Sequence, residues 1–343
     1  MVASITVEKN AHSVVTFNCA EKEVILTSDI VQRHLASCGI KKDDNKNPFS
    51  LLVLGEIKGI DDCAFADYCL EHVDLSHSSV KEIGADAFCS STIKDIILPA
   101  STKKISPFFV RGKCLESIKV NEANTNFASH NGVLYSKDYS HLIRVPEGYK
   151  QESLYVLDAT VFIDDYALDG CSIKNVILPN SLKGIGNHSF QGCRFLESLT
   201  LPAEVESIGE SAFAFCPRLK SISVDDQNSH FVFSDGAIYN KEKSVLFFVL
   251  SGYLGRQFTL PSTVLEIKDY AFVDCRHVER VVCNKLINRI GDFAFDNHHI
   301  KIIVLPDKAL KIEENAFCPE TEILRVPPKL FDSIDIRFLR FKK

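Results

Sequence analysis

The 343-residue chain has no tryptophan and a single methionine, but the motifs it lacks say more. No stretch approaches eighteen consecutive apolar residues, which excludes a membrane-spanning helix. Met1 to Asn10 carries Glu8 and Lys9 and lacks a continuous apolar run, so no cleaved secretory leader is visible. None of the twelve cysteines forms a C-x-x-C pair, which removes the commonest zinc and redox signatures. A G-x-x-x-x-G-K-[ST] phosphate loop, a G-x-S-x-G elbow, an H-E-x-x-H helix and an EF-hand loop are all missing. Asp43, Asp44, Asn45 and Asn47 have the wrong spacing for calcium and no glutamate at the twelfth position, so they read as linker. The formal charge of −6 provides no basic excess and argues against general nucleic-acid binding.

What the chain does have is one phrase many times over. I-G-x-x-A-F-x-x-C is cleanest at Ile208 to Cys216. Its leading isoleucine falls at Ile60, Ile83, Ile105, Ile163, Ile185, Ile208, Ile267, Ile290 and Ile312, in steps of 22 or 23 residues within each run. Five residues later comes a large apolar side chain, usually Phe after Ala. Before each isoleucine lies a stretch of alternating apolar residues, often closed by Pro, as in Leu199, Leu201 and Pro202. Alternation gives a strand one buried and one outward face, and proline suits the strand's end. One such unit cannot bury its own apolar side; a stack of them can, which makes a solenoid.

A longer period lies over the short one. Ile163, Ile185 and Ile208 are matched by Ile267, Ile290 and Ile312 about one hundred residues on, with Ile60, Ile83 and Ile105 leading. Between these triplets, near 121–153 and 225–257, sit two related insertions. They carry Asn131-Gly132 and Asp235-Gly236, both hairpin-turn signals.

The L-x-x-I-x-L-P…I-G-x-x-A-F-x-x-C unit, with its N-F-x-S-x-x-G-V-L-Y insertion, resembles the BspA-like, treponemal-type leucine-rich repeat. The resemblance runs from Leu51 to Val326. It is weakest at Gly55 to Ile60 and at Ser106-Pro107-Phe108-Phe109, which lacks the Gly and the Ala. It implies a leucine-rich-repeat solenoid of α/β-type repeats, with one curved parallel sheet of about twelve short strands and two hairpin insertions. It also implies a protein-binding role, as a surface adhesin or host-protein binder or as an intracellular scaffold or adaptor.

The expected organisation is a flanking element at 1–48, the repeats at 49–330 and a basic tail or cap at 331–343. In the first, Val14, Thr16 and Glu23 to Leu26 suggest two short strands. Thr27-Ser28-Asp29 suggests a cap for a helix over Ile30 to Cys38, stopped by Gly39. It is a lid for the open end of the stack or a small interaction module. At 48 residues it is short for a catalytic domain, the basis of the enzyme alternative.

Most other suggestive residues fall on the repeat. Cys171, Cys193, Cys216 and Cys275 share one slot and read as packed, reduced thiols. Asp61-Asp62, Asp164-Asp165 and Asp225-Asp226 recur near turns, unlike a catalytic dyad. The Asn187-His188-Ser189 sequon lies inside a repeat phrase. Adjacent His298 and His299 point apart in an extended segment and make a poor chelate alone. No catalytic, cofactor or metal residue is expected, and no cofactor.

A protein partner is expected on the outward positions of the strands. These include Asp95 and Ile97, Asn175 and Ile177, Ser198 and Thr200, Arg280 and Val282, and Ile302 and Val304. The apolar members would form an exposed stripe. The insertions, with Phe127, Tyr135, Tyr139 and Tyr149 in the first and Phe231, Phe233, Tyr239 and Tyr253 in the second, are the other candidate surface. The expected location is cytoplasmic, peripheral, or exported without a leader; ligand and oligomeric state stay open.

Overall fold

The protein is described here from a computed structural model, over residues 5–11, 13–42, 47–89 and 92–331. It is a β-solenoid. Each coil contributes a longer face strand and a two-residue strand, and both stack in parallel on those of neighbouring coils. Ser198–Leu201 shows the principle, with Leu199 and Leu201 buried and Ser198 and Thr200 exposed. The following Ser207–Ile208 pairs in register with Gly184–Ile185.

The third side of each coil is mostly turn, with a short parallel pairing of Phe88–Cys89 with Val110–Arg111 and a bridge between Phe295 and Phe317. Among the described residues the repeats contain no α-helix, which corrects the α/β-type expectation. The reason lies in the backbone hydrogen bonds. Phe190 N donates to Ala212 O, and Phe272 N to Ala294 O, both in the next coil. Amides committed across coils cannot close the i→i−4 bonds of a helix. The phenylalanines stack in turn, with ring centroids 5.4 Å apart for Phe65 and Phe88, 5.1 Å for Phe190 and Phe213, and 4.9 Å for Phe272 and Phe295. This is close to the strand spacing, so one residue type in one slot builds a continuous core.

Among the described residues the twelve face strands form three runs of four rather than one continuous sheet. The first holds Phe49–Ile60, Leu70–Ser78, Asp95–Leu98 and Ser117–Val120. The second holds Ser153–Tyr155, Asn175–Ile177, Ser198–Leu201 and Ser221–Val224, and the third Gln257–Thr259, Arg280–Val282, Ile302–Pro306 and Glu322–Val326. The insertions cause the breaks. Each is a three-stranded antiparallel meander, not a simple hairpin. The first comprises Phe127–His130, Val133–Ser136 and His141–Arg144, and the second Phe231–Ser234, Ala237–Asn240 and Val245–Val249. In both, the third strand turns parallel and starts the next ladder of two-residue strands, as His141–Arg144 does with Phe162–Ile163. A meander therefore stands in for a coil.

Two buried asparagines fasten the meanders. Asn124 Nδ2 donates to Pro99 O and Thr102 O, while its Oδ1 accepts from the Asn126 and Phe127 amides. Asn228 repeats the pattern with Pro202, Val205, His230 and Phe231.

At the N-terminal end, Val14–Leu26 is one thirteen-residue strand, not two short ones. It lies parallel to Phe49–Ile60, with a register shift between Cys19 and Val24. Ile5–Lys9 pairs antiparallel on its outer edge. The helix runs Ser28–Ser37, with the Thr27 side chain accepting from Ile30 N, and Gly39 follows at φ +74°. Phe17, Val31 and Leu35 belong to the same core as the first repeats, and Phe17 meets Phe65 edge-on at 5.6 Å.

Candidate binding face

Register alignment places the outward side chains in two columns per run. In the second run these are Ser153, Asn175, Ser198 and Ser221, and Tyr155, Ile177, Thr200 and Ser223. All except Ser153 are exposed. Tyr155 is 72% and Ile177 44% exposed. Next to them the tip of the first meander, at His130 and Asn131, forms one wall of a groove of about 530 Å³. Tyr149, Tyr155, Leu157 and Ile177 supply its apolar lining. The two surfaces expected from sequence, strand face and insertion, meet in this groove.

The other runs differ. In the first, Asp95 is half-buried and its carboxylate lies 2.7 Å from His72 Nδ1, while Ile97 is half-buried beside it. In the third, the expected apolar stripe is not exposed. Val282, Ile302 and Val304 retain 3%, 8% and 2% of their surface, and Arg280 is half-buried. With Val326 they make a separate small core on the outward side of the sheet, against which Leu324 and Phe331 pack. Phe331 follows the short 3-10 turn Pro328–Leu330.

Charged residues line the entry of the face strands in pairs of opposite sign. Glu71 bonds Lys94, which lowers the Glu71 pKa, Glu152 meets Lys174 at 2.6 Å, and Arg256 meets Glu279 at 2.8 Å. Exposed pairs of this kind contribute little stability. They also cancel one another's field, leaving shape and apolar contact to define the face.

A further recess of about 630 Å³ lies where the ladder of two-residue strands breaks at the first meander. Lys103, Lys104, His141, Phe162 and Asp164 line it; His141 Nδ1 lies 2.7 Å from Asp164 Oδ1 and its ring stacks on Phe162. Beside this break Arg144 is buried, its Nη1 donating to Tyr166 O at 2.7 Å and its Nη2 3.3 Å from Glu147. Burial raises the Glu147 and Asp169 pKa values there, against the pull of Arg144.

Several residues singled out in the sequence are scaffold, and Asp269 joins them. Asp62, Asp165, Asn187 and Asp269 each accept, through Oδ1, from a backbone amide of the next coil, at 2.6–2.9 Å. Asn187 of the sequon is thus a rung in this ladder, and Ser189 is fully buried. Cys193 and Cys216 donate to the carbonyls of Leu168 and Phe190 at 3.2 and 3.1 Å, so the repeated thiols act as hydrogen-bonded core groups. One grouping escaped the sequence reading. His298 lies beside Cys318 and Glu320 of the next coil, with all three donor atoms within 4.8 Å of one another.

The profile of the BspA type leucine rich repeat region matches residues 47–133, 147–254 and 248–335, in six copies. The chain belongs to the BspA-type leucine-rich repeat family. Among solved structures it is similar to a leucine-rich repeat protein from Eubacterium ventriosum, with 18% identity, a TM-score of 0.55 and 95% of each chain covered. It is also similar to a leucine rich cell surface protein from Faecalibacterium prausnitzii, with 19% identity, a TM-score of 0.50, and 94% and 87% of the two chains covered. At these identities the likeness establishes the shared fold. No curated protein matches the chain. Among the described residues no helix is long and apolar enough to cross a membrane.

Proposed function

We propose that this BspA-type repeat protein is a non-enzymatic binder of polypeptide partners, and that its contact surface is the outward face of the second run. The observation that carries this is the groove where Tyr155 and Ile177, both exposed, stand beside Tyr149. An exposed tyrosine beside apolar residues in a recess is the kind of side chain that anchors interfaces. The paired charges at the strand entries favour a partner chosen by shape over one drawn by charge. The third run is the weaker candidate because its outward apolar residues are buried, with Leu324 and Phe331 packed against them.

Panning a random peptide library on the full chain, then measuring the selected ligands on Tyr155→Ala/Ile177→Asp protein, tests the assignment. A loss of tenfold or more in affinity, with the circular dichroism spectrum unchanged, is expected. Undiminished binding would move the site to another surface.

Within this function, adhesion is the reading the family resemblance favours, and an intracellular scaffold is its rival. Antibody labelling of intact and permeabilised cells separates them. Labelling that needs permeabilisation sinks the adhesin version.

A further inference from the structure

The turns that follow the core phenylalanines shorten toward the C-terminal end of the stack. Seven residues separate Phe272 from the strand at Arg280, six separate Phe295 from Ile302, and four separate Phe317 from Glu322. Arg280, Ile302 and Glu322 are nonetheless in register, so the last turn takes the tighter path. That path sets Cys318 and Glu320 against His298 of the preceding coil.

Three donor atoms converge there. Cys318 Sγ lies 3.1 Å from His298 Nδ1 and 3.0 Å from Glu320 Oε2, and His298 Nδ1 lies 3.5 Å from the same Oε2. The backbone around them is pinned. Asn297 donates to Phe272 O and Cys275 O and accepts from His299 N, which fixes the turn bearing His298. Thr321 N donates to Cys318 O, and Thr321 Oγ1 to Ile300 O, which fixes the turn bearing Cys318 and Glu320. Cys318 is buried, while the His298 and Glu320 side chains are mostly exposed.

We infer that His298, Cys318 and Glu320 form a binding site for a divalent transition-metal ion of the zinc type, with a fourth position open to solvent. Thiolate, imidazole and carboxylate together select a borderline ion over calcium or magnesium, which prefer all-oxygen shells. With Zn–S near 2.3 Å and Zn–N or Zn–O near 2.0–2.1 Å, tetrahedral ligands stand roughly 3.3–3.6 Å apart. The three observed separations need only about half an ångström of outward movement by the sulfur to match. On binding, the Cys318 thiol loses its proton to solvent, and its hydrogen bond to Glu320 gives way to shared coordination.

A cysteine–histidine–acid catalytic triad does not fit the geometry. A triad places nucleophile and acid at opposite nitrogens of the imidazole. Here both face Nδ1, the arrangement of ligands around a common point.

Cobalt titration of the reduced, chelator-treated full chain tests the site. The expected result is one Co²⁺ per chain, with a sulfur-to-cobalt charge-transfer band and the visible bands of a tetrahedral ion, displaced by Zn²⁺. Cys318→Ser should abolish the charge-transfer band, and His298→Ala should weaken binding at least about tenfold. A Cys63→Ser/Cys114→Ser protein, lacking two exposed thiols elsewhere, should bind as the parent does. Denaturant unfolding and circular dichroism establish that each variant is folded. Absence of the tetrahedral spectrum in the parent, or its survival in folded Cys318→Ser protein, overturns the site.

Discussion

Gly209 and Asn187 compete for one space. A Cβ at position 209 would stand 2.4 Å from the Asn187 backbone nitrogen and 2.6 Å from its Oδ1. The glycine of the repeat phrase is therefore required by contact between coils, not by an unusual dihedral. Gly186 against Asp165 and Gly291 against Asp269 repeat the relationship.

Gly209→Ala should then destabilise the fold by about 2 kcal/mol through overpacking, read from the urea unfolding midpoint. Removing the Asn187 side chain as well should not restore stability, because the nearer obstacle is backbone. Full recovery in the Gly209→Ala/Asn187→Gly protein would contradict this.

Two apolar outward residues should respond very differently to the same change. Ile177→Asp places a charge on an exposed position and should shift stability by no more than about 0.5 kcal/mol. Val304→Asp buries a carboxylate in the small core beneath Phe331 and should cost about 3 kcal/mol or more. Equal effects in chemical denaturation would show that the third run is open.

The exposed and the buried thiols should differ in reactivity, with half-buried Cys38 and Cys89 between them. Burial pushes Cys171 up to about 12, and Cys283 likewise. At pH 8 roughly one such group in ten thousand is then thiolate. Cys63 and Cys114 are exposed. A thiol reagent should label these two rapidly in the native protein, and the buried set only on unfolding. Because the folded state holds the buried thiols protonated, their effect on stability is constant below the ordinary thiol range. It is lost progressively as pH rises from there toward 12.

Asp138, in the turn before the last strand of the first meander, should titrate far below an ordinary aspartate. The Ser136 and Ser140 hydroxyls donate to its Oδ1 at 2.6 and 2.8 Å, followed by the Ser140 amide at 3.1 Å, and hold it at about 2. The ionised form is the one favoured on folding, so the contribution is present at neutral pH and fades as pH falls from near 4 toward 2. A carboxyl NMR titration should place the midpoint near 2, and Ser136→Ala should raise it.

The period of Ile60 to Ile312 sufficed to identify the solenoid, because stacking forces identical slots to carry identical residues. It also assigned Cys193, Cys216 and the recurrent acids to the scaffold. It could not say that Val304 is covered while Ile177 is open. Both are β-branched residues at equivalent strand positions, and what separates them is the packing of Leu324 and Phe331 on the third run. The meanders were legible as turns at Asn131-Gly132 and Asp235-Gly236. Their third strands were not, since switching from antiparallel to parallel pairing leaves no mark on alternation.

Local pattern thus determined the repeat, its coil length, the places where it is interrupted and the capping role of Thr27. These depend on neighbours along the chain and on the identity of each coil with the next. The tertiary structure decided which outward residues see solvent, why the phrase needs glycine, and that His298 meets Cys318 and Glu320. Each of those depends on a distance between coils, set by how tightly one turn follows another. A change of two residues in turn length moves side chains across the stack while leaving the repeat phrase intact.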